Sequence, residues 1–344
     1  MKYMQTAEIS SVKSKLQVKE SRLNGIHQII TPEDGLPVEL QAKWMIKLLQ
    51  FMYTEHGISR SPQKLMLSIE SGNCRCWFIL ERNEPVAMSA LVLQSDGSVE
   101  LGRAVAISPG LGLGGIAMMR AGLDQIERGS TPLVAEVRVA DKFRGIPSGE
   151  ATQKILFGDF GLTPHALVPM FGHGNPFREE MFALATSQNR ADSENSFIPE
   201  NKAASKLLQA AMKLSNNIFA GRVRSHNSDR LNLGFDLVQT EPFALVLPSR
   251  NGNKLETTEK ASFKESKFAL LPIELSPENT DLILGCLEAG WVPCGVDRNL
   301  GGKGHPVLLL GKLKEGTLLA PIKIGRDLGK QNTGALTRID GLFR

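Results

Sequence analysis

One stretch of this sequence, Val99–Arg120, constrains the fold more than any other. Its apolar, β-branched run Glu100–Ile107 predicts a strand, and the glycines at 110, 112, 114 and 115 predict a loop after it. The apolar run that starts at Ile116 then predicts a helix. A loop between a strand and a helix start directs free backbone N–H groups and the positive end of a helix dipole at one place. We therefore expect a phosphate or pyrophosphate to bind there, as part of a phosphorylated cofactor.

Composition and charge are those of an ordinary globular protein. Hydrophobic residues make up 42% of the 344 residues and charged ones 22%, and the net charge of +4 is too small to indicate nucleic acid as a partner. The polar N-terminus lacks the apolar core of a signal peptide, and no run reaches the roughly 18 apolar residues of a membrane span. Cys74 and Cys76 lack the second pair of ligands that a zinc site needs, which favours buried reduced thiols. These features predict a cytoplasmic protein.

The order of turn signals and apolar runs predicts an α/β (α+β) chain with two domains. In the first, a meander of antiparallel hairpins precedes the glycine loop and one βαβ unit follows, with Leu133–Val139 parallel to Val99–Ile107. The second, smaller α/β domain repeats a helix–glycine–aromatic–strand junction at Gly234-Phe235 and Gly290-Trp291, which indicates a degenerate copy of the first. Such a copy would cover the acceptor side of the first domain or form a homodimer. The predicted boundaries are a polar lead-in at 1–25, the first domain at 26–187, a linker at 188–201 and the second domain at 202–344.

The glycine loop matches the dinucleotide fingerprint GxGxxG at positions 110–115, although glycine-rich stretches meet this pattern by chance. The fingerprint normally opens a series of βαβ units, whereas hairpins precede this loop and a single crossover follows it. The acidic residue nearest to the expected spacing, Glu136, lies in the middle of a predicted strand rather than at its end. An NAD(P)-dependent oxidoreductase therefore stays open as an alternative that the context disfavours.

The same segment resembles motif A of the GNAT superfamily of acyl-CoA N-acyltransferases, written V-x-P-x-x-[RQ]-G-x-G-[IL]-[GA]. Residues 107–109 (ISP) match its V-x-P, and residues 115–117 (GIA) match its end. Residues 100–103 (ELGR) resemble the upstream E-L-x-R run at an offset one residue longer, which a β-bulge in the strand would absorb. Residues 156–162 (LFGDFGL) resemble the helix-end pattern L-Y-x-x-x-G-F, and the resemblance covers roughly residues 25–187.

The resemblance implies a GNAT-like mixed sheet and an enzyme that moves an acyl group, acetyl in the simplest case. The donor would be acetyl-CoA or another acyl-CoA, and the acceptor a small-molecule primary amine. A backbone N–H near Ile107 would polarise the thioester carbonyl. The residues expected to bind the pyrophosphate through backbone N–H groups are Gly112, Leu113, Gly114, Gly115, Ile116 and Ala117.

Two positions depart from the family pattern. Gly112 stands where the family has Arg or Gln, which removes a side-chain contact to the pyrophosphate. Phe157 stands at the cofactor-facing position where a helix tyrosine often protonates the leaving thiolate. No other tyrosine lies near it in the sequence, because the only two are Tyr3 and Tyr53. A catalytically inert acyl-CoA-binding or interaction module is therefore a second alternative.

Acyl transfer to an amine needs a group that accepts a proton. Glu100 is the first candidate, because it lies on the strand that leads into the loop; otherwise it is an exposed strand residue or a partner of Arg103. Glu136 is the second candidate, against an ordinary salt bridge with Arg138 or Arg103. His173 is the third candidate, against a purely structural role, and it lies in the loop after the predicted helix Ser148–Phe160. The histidines and cysteines show no metal-ligand spacing, so no metal is expected.

Overall fold

The chain divides into two structural units, each built from three segments that alternate along the sequence. Unit 1 comprises residues 1–137, 142–162 and 185–189, and unit 2 comprises residues 138–141, 163–184 and 190–344. The computed structural model describes residues 6–23, 25–52, 62–94, 97–107, 112–129, 131–139, 149–170, 180–187, 208–209, 211, 234–239, 244–249, 252–297 and 306–344. Four sequence predictions lie wholly or mostly outside these ranges: His173, the loop at 108–111, the linker at 188–201 and a helix at 203–219.

Unit 1 combines antiparallel strands with one parallel pair. Its described strands are β1 (His27–Ile30), β2 (Cys74–Glu81), β3 (Glu84–Leu93), β4 (Val99–Ala106) and β5 (Leu133–Arg138). Its described helices are α1 (Thr6–Glu20), α2 (Val38–Met52), α3 (Pro62–Glu70), α4 (Leu113–Arg128) and α5 (Gly149–Gln153), which continues as a π-helical turn, Lys154–Asp159. The strand order is β1-β2-β3-β4-β5, antiparallel except for β4–β5, which α4 connects. The predicted meander and βαβ unit are therefore confirmed.

Alternating side chains along β2 explain why helices cover both faces of this sheet. Cys76 and Phe78 pack with Met45 of α2 in one apolar cluster. Trp77 points to the opposite face, where it lines a cavity together with Leu123 of α4. Strands that are buried on both faces carry continuous apolar runs, as β2 does. The four cysteines of the chain are free and buried, as expected.

Unit 2 also combines antiparallel strands with a parallel pair, and it has its own apolar core. Its described strands are β6 (Thr163–Met170), β7 (Glu180–Thr186), β8 (Gly234–Gln239), β9 (Ala244–Ser249), β10 (Phe268–Glu274), β11 (Val292–Asp297) and β12 (Val307–Leu313). Its longer helices are α6 (Leu255–Glu265), α7 (Thr280–Glu288) and α8 (Gly329–Phe343). The strand order is β7-β6-β11-β12-β10-β9-β8, and β9 and β10 run parallel. Leu271, Leu310 and Trp291 belong to its core cluster of buried residues.

The order of elements repeats along the chain. The series β3, β4, α4, β5, α5, β6, β7 is followed by the series β8, β9, α6, β10, α7, β11, β12. In each series the first two strands are antiparallel, and the strand after the next helix is parallel to the second. This agrees with the degenerate copy that the glycine–aromatic junctions indicate. Glu256 in the first turn of α6 disfavours an anion at that helix start. The predicted mixed α/β fold is confirmed.

Three segments differ from their predicted structure. The polar lead-in contains α1, in which Val12 and Leu16 are buried at i, i+4 spacing. The loop predicted after the helix Ser148–Phe160 begins with strand β6, and His165 is buried in that strand. Two prolines within this strand, TPHALVPM, hide the strand pattern in the sequence. The C-terminal segment, for which the sequence predicts no helix, forms α8 and buries Leu336 and Ile339.

Candidate functional site

The parallel strands β4 and β5 are paired only over a short distance and then diverge. They pair at two positions, Val99 with Leu133 and Glu100 with Val134. Beyond these pairs β4 continues to Ala106 and β5 to its end, and their described residues form no further pairs with each other. Two parallel strands that diverge leave a V-shaped cleft whose edges carry unpaired backbone N–H and C=O groups.

A β-bulge in β4 accounts for this divergence. Met88 of β3 pairs with Val105 and Ala90 pairs with Gly102, so two residues of β4 stand opposite Ser89. Arg103, the first of these two, has a positive φ of 53°. A bulge bends its strand and increases the local twist, which turns the second half of β4 away from β5. The bulge that the offset at residues 100–103 predicts is therefore confirmed.

The bulge and the strand pairing decide which amides face the cleft. The Ile107 N–H donates to the Val86 carbonyl at 2.8 Å, so the N–H expected near Ile107 for a thioester carbonyl is not that of Ile107 itself. In an antiparallel pair, successive residues direct their N–H groups to opposite sides. Ala106 therefore directs its N–H away from β3 and into the cleft. The one-residue offset indicates the bulge, but only the register identifies Ala106.

The start of α4 forms one end of the cleft. Gly112 precedes the helix in the left-handed conformation with φ of 67°, and its carbonyl accepts the Ile116 N–H at 3.0 Å. The amides of Ile116 and Ala117 therefore belong to the helix and cannot bind the pyrophosphate as predicted. No described residue accepts a hydrogen bond from the amides of Leu113, Gly114 and Gly115, which are the orphan donors of a helix start.

Gly114 allows the helix start to approach β4 closely. A Cβ at this position would lie 3.4 Å from the Val105 carbonyl carbon and 3.6 Å from the Ala106 Cβ. The first turn of α4 thus packs on the strand that carries the bulge. The side chains of Leu113, Ile116 and Ala117 are buried and anchor the helix there.

The two predicted carboxylates lie on one face of the sheet. Glu100 is level with Val134, so Glu136 is two residues further along β5 on the same face. The Gln94 side-chain amide donates to Glu100 Oε2 at 2.6 Å. A Cβ on Gly102 would lie 2.6 Å from Glu100 Oε1, so the absence of a side chain at Gly102 makes room for the carboxylate.

The two carboxylates differ in their ionisation. Burial raises the pKa of Glu100, while the Arg103 charge and the Gln94 hydrogen bond oppose this rise. Burial and the negative charge of Glu100 together raise the pKa of Glu136 to about 7. The Glu136 side chain is nevertheless exposed to solvent on its face of β5. An accessible carboxylate with a pKa close to neutral pH is suited to accept a proton.

The remaining predicted residues have less informative positions. Phe157 lies in the π-helical turn, and its ring is buried at 6% exposure. His173 lies outside the described residues. Across the described ranges, no three His, Cys, Asp or Glu side chains are grouped so as to hold a metal ion. None of the helices in these ranges is long and apolar enough to cross a membrane.

Comparisons with known proteins give similarity at the level of structure. No protein-family model and no curated protein matches the sequence. An aminoglycoside 6'-N-acetyltransferase in complex with coenzyme A is 14% identical, with a TM-score of 0.35, over 48% of this chain and 99% of that chain. An N-acetyltransferase from Staphylococcus aureus Mu50 is 16% identical, with a TM-score of 0.34, over 46% and 96%. An aminoglycoside 6'-N-acetyltransferase from Enterococcus faecium is 13% identical, with a TM-score of 0.31, over 48% and 99%.

Proposed function

We propose that this chain is an acyl-CoA-dependent N-acyltransferase that transfers an acyl group, acetyl in the simplest case, to a small-molecule primary amine. The observation that carries the proposal is the divergence of β4 and β5 beyond Glu100 and Val134. The pantetheine arm of coenzyme A is an extended chain with two amide groups. An extended chain of that kind fits between strand edges with unpaired N–H and C=O groups, as an added strand does.

The ends of the cleft suit the other parts of the thioester. The amides of Leu113, Gly114 and Gly115, with the positive end of the α4 dipole, would bind the diphosphate. The Ala106 N–H would donate to the thioester oxygen, where negative charge develops during attack. Phe157 would pack near the cofactor without taking part in proton transfer, because it has no hydroxyl group.

In the reaction, Glu136 accepts a proton from the ammonium form of the acceptor. The neutral amine then attacks the thioester carbonyl carbon, a C–N bond forms, and the C–S bond breaks to release the thiolate of coenzyme A. The nitrogen loses its second proton to water, and the thiolate takes the proton held by Glu136, which returns Glu136 to its ionised form for the next turnover. Glu100, the first candidate from the sequence, is hydrogen-bonded to Gln94, and its role is to keep the pKa of Glu136 high.

Binding and turnover test this function separately. Acetyl-CoA at a hundredfold excess over its Kd is expected to raise the free energy of unfolding by about 2.7 kcal/mol, measured by thermal or urea denaturation. NAD(P) at the same concentration is expected to leave it unchanged. Release of free thiol from acetyl-CoA in the presence of a panel of primary amines measures turnover. Stabilisation by NAD(P) in place of acetyl-CoA would refute the proposal.

One observation favours the inert-module alternative, and none favours the oxidoreductase. The absence of a hydroxyl at Phe157 favours an inert acyl-CoA-binding module, which would be stabilised by acetyl-CoA yet release no thiol with any amine. The oxidoreductase lacks support, because β4–β5 is the one parallel pair among the described strands of unit 1. A cytoplasmic location and a homodimer belong to the proposal as well.

A further inference from the structure

The lysines of α1 fall into two groups. Lys13 pairs with Glu127 at 2.5 Å, and Lys15 pairs with Asp159 at 2.6 Å. Lys19, one turn after Lys15, has no carboxylate within ion-pair distance among the described residues, although it is only partly exposed. A partly buried cation loses part of its hydration, which costs free energy when no carboxylate pairs with it directly.

The position of Lys19 places it at the start of α4. Its Nζ lies 4.0 Å from the point that a Cβ on Gly115 would occupy. Gly115 is the last of the three residues in the first turn whose amides have no acceptor among the described residues. The ammonium group of Lys19 therefore stands beside the donors that the proposed function assigns to the diphosphate.

The charges around Lys19 are mostly positive. Burial lowers the pKa of Lys19, the Asp159 charge opposes this, and the charges of Lys154, Arg22 and Lys15 lower it further. Asp159 is already bound to Lys15. Lys19, Lys154 and Arg22, which we call the α1 cation cluster, thus lack a carboxylate of their own within the described part of the chain.

A diphosphate needs more positive charge than the helix provides. A diphosphate that links two alcohols carries two negative charges at neutral pH, whereas a helix N-terminus provides about half a positive charge. Gly112 has no side chain that could supply the remainder. We propose, on the basis of the proposed function, that Lys19 at the centre of the α1 cation cluster binds the diphosphate of coenzyme A from the side opposite the amides of Leu113–Gly115. Helix α1 would then be part of the cofactor site.

Substitution of Lys19 separates this role from a structural one. Lys19→Gln is expected to raise the Kd for coenzyme A about tenfold or more in calorimetric titration, because a charge-assisted hydrogen bond is lost. Lys19→Arg keeps the charge and is expected to stay within about threefold of wild type. Lys13→Gln, on the same helix, should leave the Kd unchanged because Lys13 pairs with Glu127. The melting temperature of ligand-free Lys19→Gln should equal or exceed that of wild type, since Lys19 repels its neighbours.

Three ligands distinguish the phosphates of the cofactor. Dephospho-coenzyme A keeps the diphosphate and lacks the 3'-phosphate, so Lys19→Gln should lose as much affinity for it as for coenzyme A. Pantetheine lacks both groups and should bind to wild type and variant alike. An unchanged Kd for coenzyme A in Lys19→Gln overturns the inference. A loss of affinity for coenzyme A with no loss for dephospho-coenzyme A also overturns it, because Lys19 would then bind the 3'-phosphate. If wild type fails to bind coenzyme A at all, the proposed function fails first, which is a different result.

Discussion

Glu136→Gln is expected to lower kcat/KM for thiol release by about a hundredfold or more while the Kd for acetyl-CoA stays within twofold of wild type. A glutamine has nearly the same shape as glutamate but cannot accept a proton at neutral pH. The cofactor contacts that we propose are backbone groups of β4 and α4 and the side chain of Lys19, and the substitution touches none of them. Steady-state assays with an amine acceptor, together with calorimetric titration of acetyl-CoA, measure both quantities.

The pH dependence identifies which carboxylate is the base. For wild type, kcat/KM should rise with pH through about 7, because Glu136 must be deprotonated and its pKa is raised to about 7. Glu100→Gln removes the charge that helps to raise this pKa, so the rise should move to lower pH while activity at pH 8 is largely kept. Glu136→Gln should lack the rise. If Glu100→Gln abolishes the rise instead, Glu100 is the base and the assignment is wrong.

Stability offers a check that does not depend on activity. The folded-state pKa of Glu136 lies above its ordinary value of 4.5. The folded protein therefore holds this proton more tightly than the unfolded chain, and the resulting stability is lost as the pH rises from about 4.5 through about 7. The melting temperature of Glu136→Gln minus that of wild type should therefore be larger at pH 8 than at pH 4. A difference that does not vary with pH would place Glu136 in an ordinary solvated environment.

Local patterns in the sequence predict the part of the site that local geometry determines. The glycines and the apolar run after them predict a helix start behind a strand, because glycine permits the φ of 67° that Gly112 adopts. The offset at residues 100–103 predicts the bulge. Neither pattern predicts that the Ile107 N–H pairs with the Val86 carbonyl, and this pairing is what directs the Ala106 N–H into the cleft.

Other features of the site arise between segments that are distant in sequence. The raised pKa of Glu136 depends on burial and on the charge of Glu100, which a neighbouring strand brings close. Lys19 reaches α4 only because α1 packs there, and the lead-in has too few apolar residues to show that packing in its sequence. Strand β6 is hidden for a related reason, since its prolines are tolerated by a tertiary context that a single segment does not reveal.

The largest loss of stability is expected from Gly295→Ala in β11, where backbone rather than side chains fills the space. Gly295 pairs with Ala166 of β6, and a Cβ on Gly295 would overlap the His165 carbonyl oxygen and the Ala166 Cα. Strand backbones cannot move apart by the required distance without losing their pairing. We expect the free energy of unfolding to fall by about 3 kcal/mol, measured by urea denaturation.

Two alanine substitutions in the same unit serve as matched controls for Gly295→Ala. A Cβ on Gly311 would lie 2.6 Å from both the Cys294 Sγ and a ring carbon of Phe268. Side chains can yield where backbone cannot, so Gly311→Ala should cost about 1–2 kcal/mol. Gly285, inside α7, has no atom within 4 Å of its Cβ position, and alanine there should add about 0.5–1 kcal/mol through helix propensity. A smaller loss for Gly295→Ala than for Gly311→Ala would mean that β6 and β11 are not packed backbone to backbone at this position.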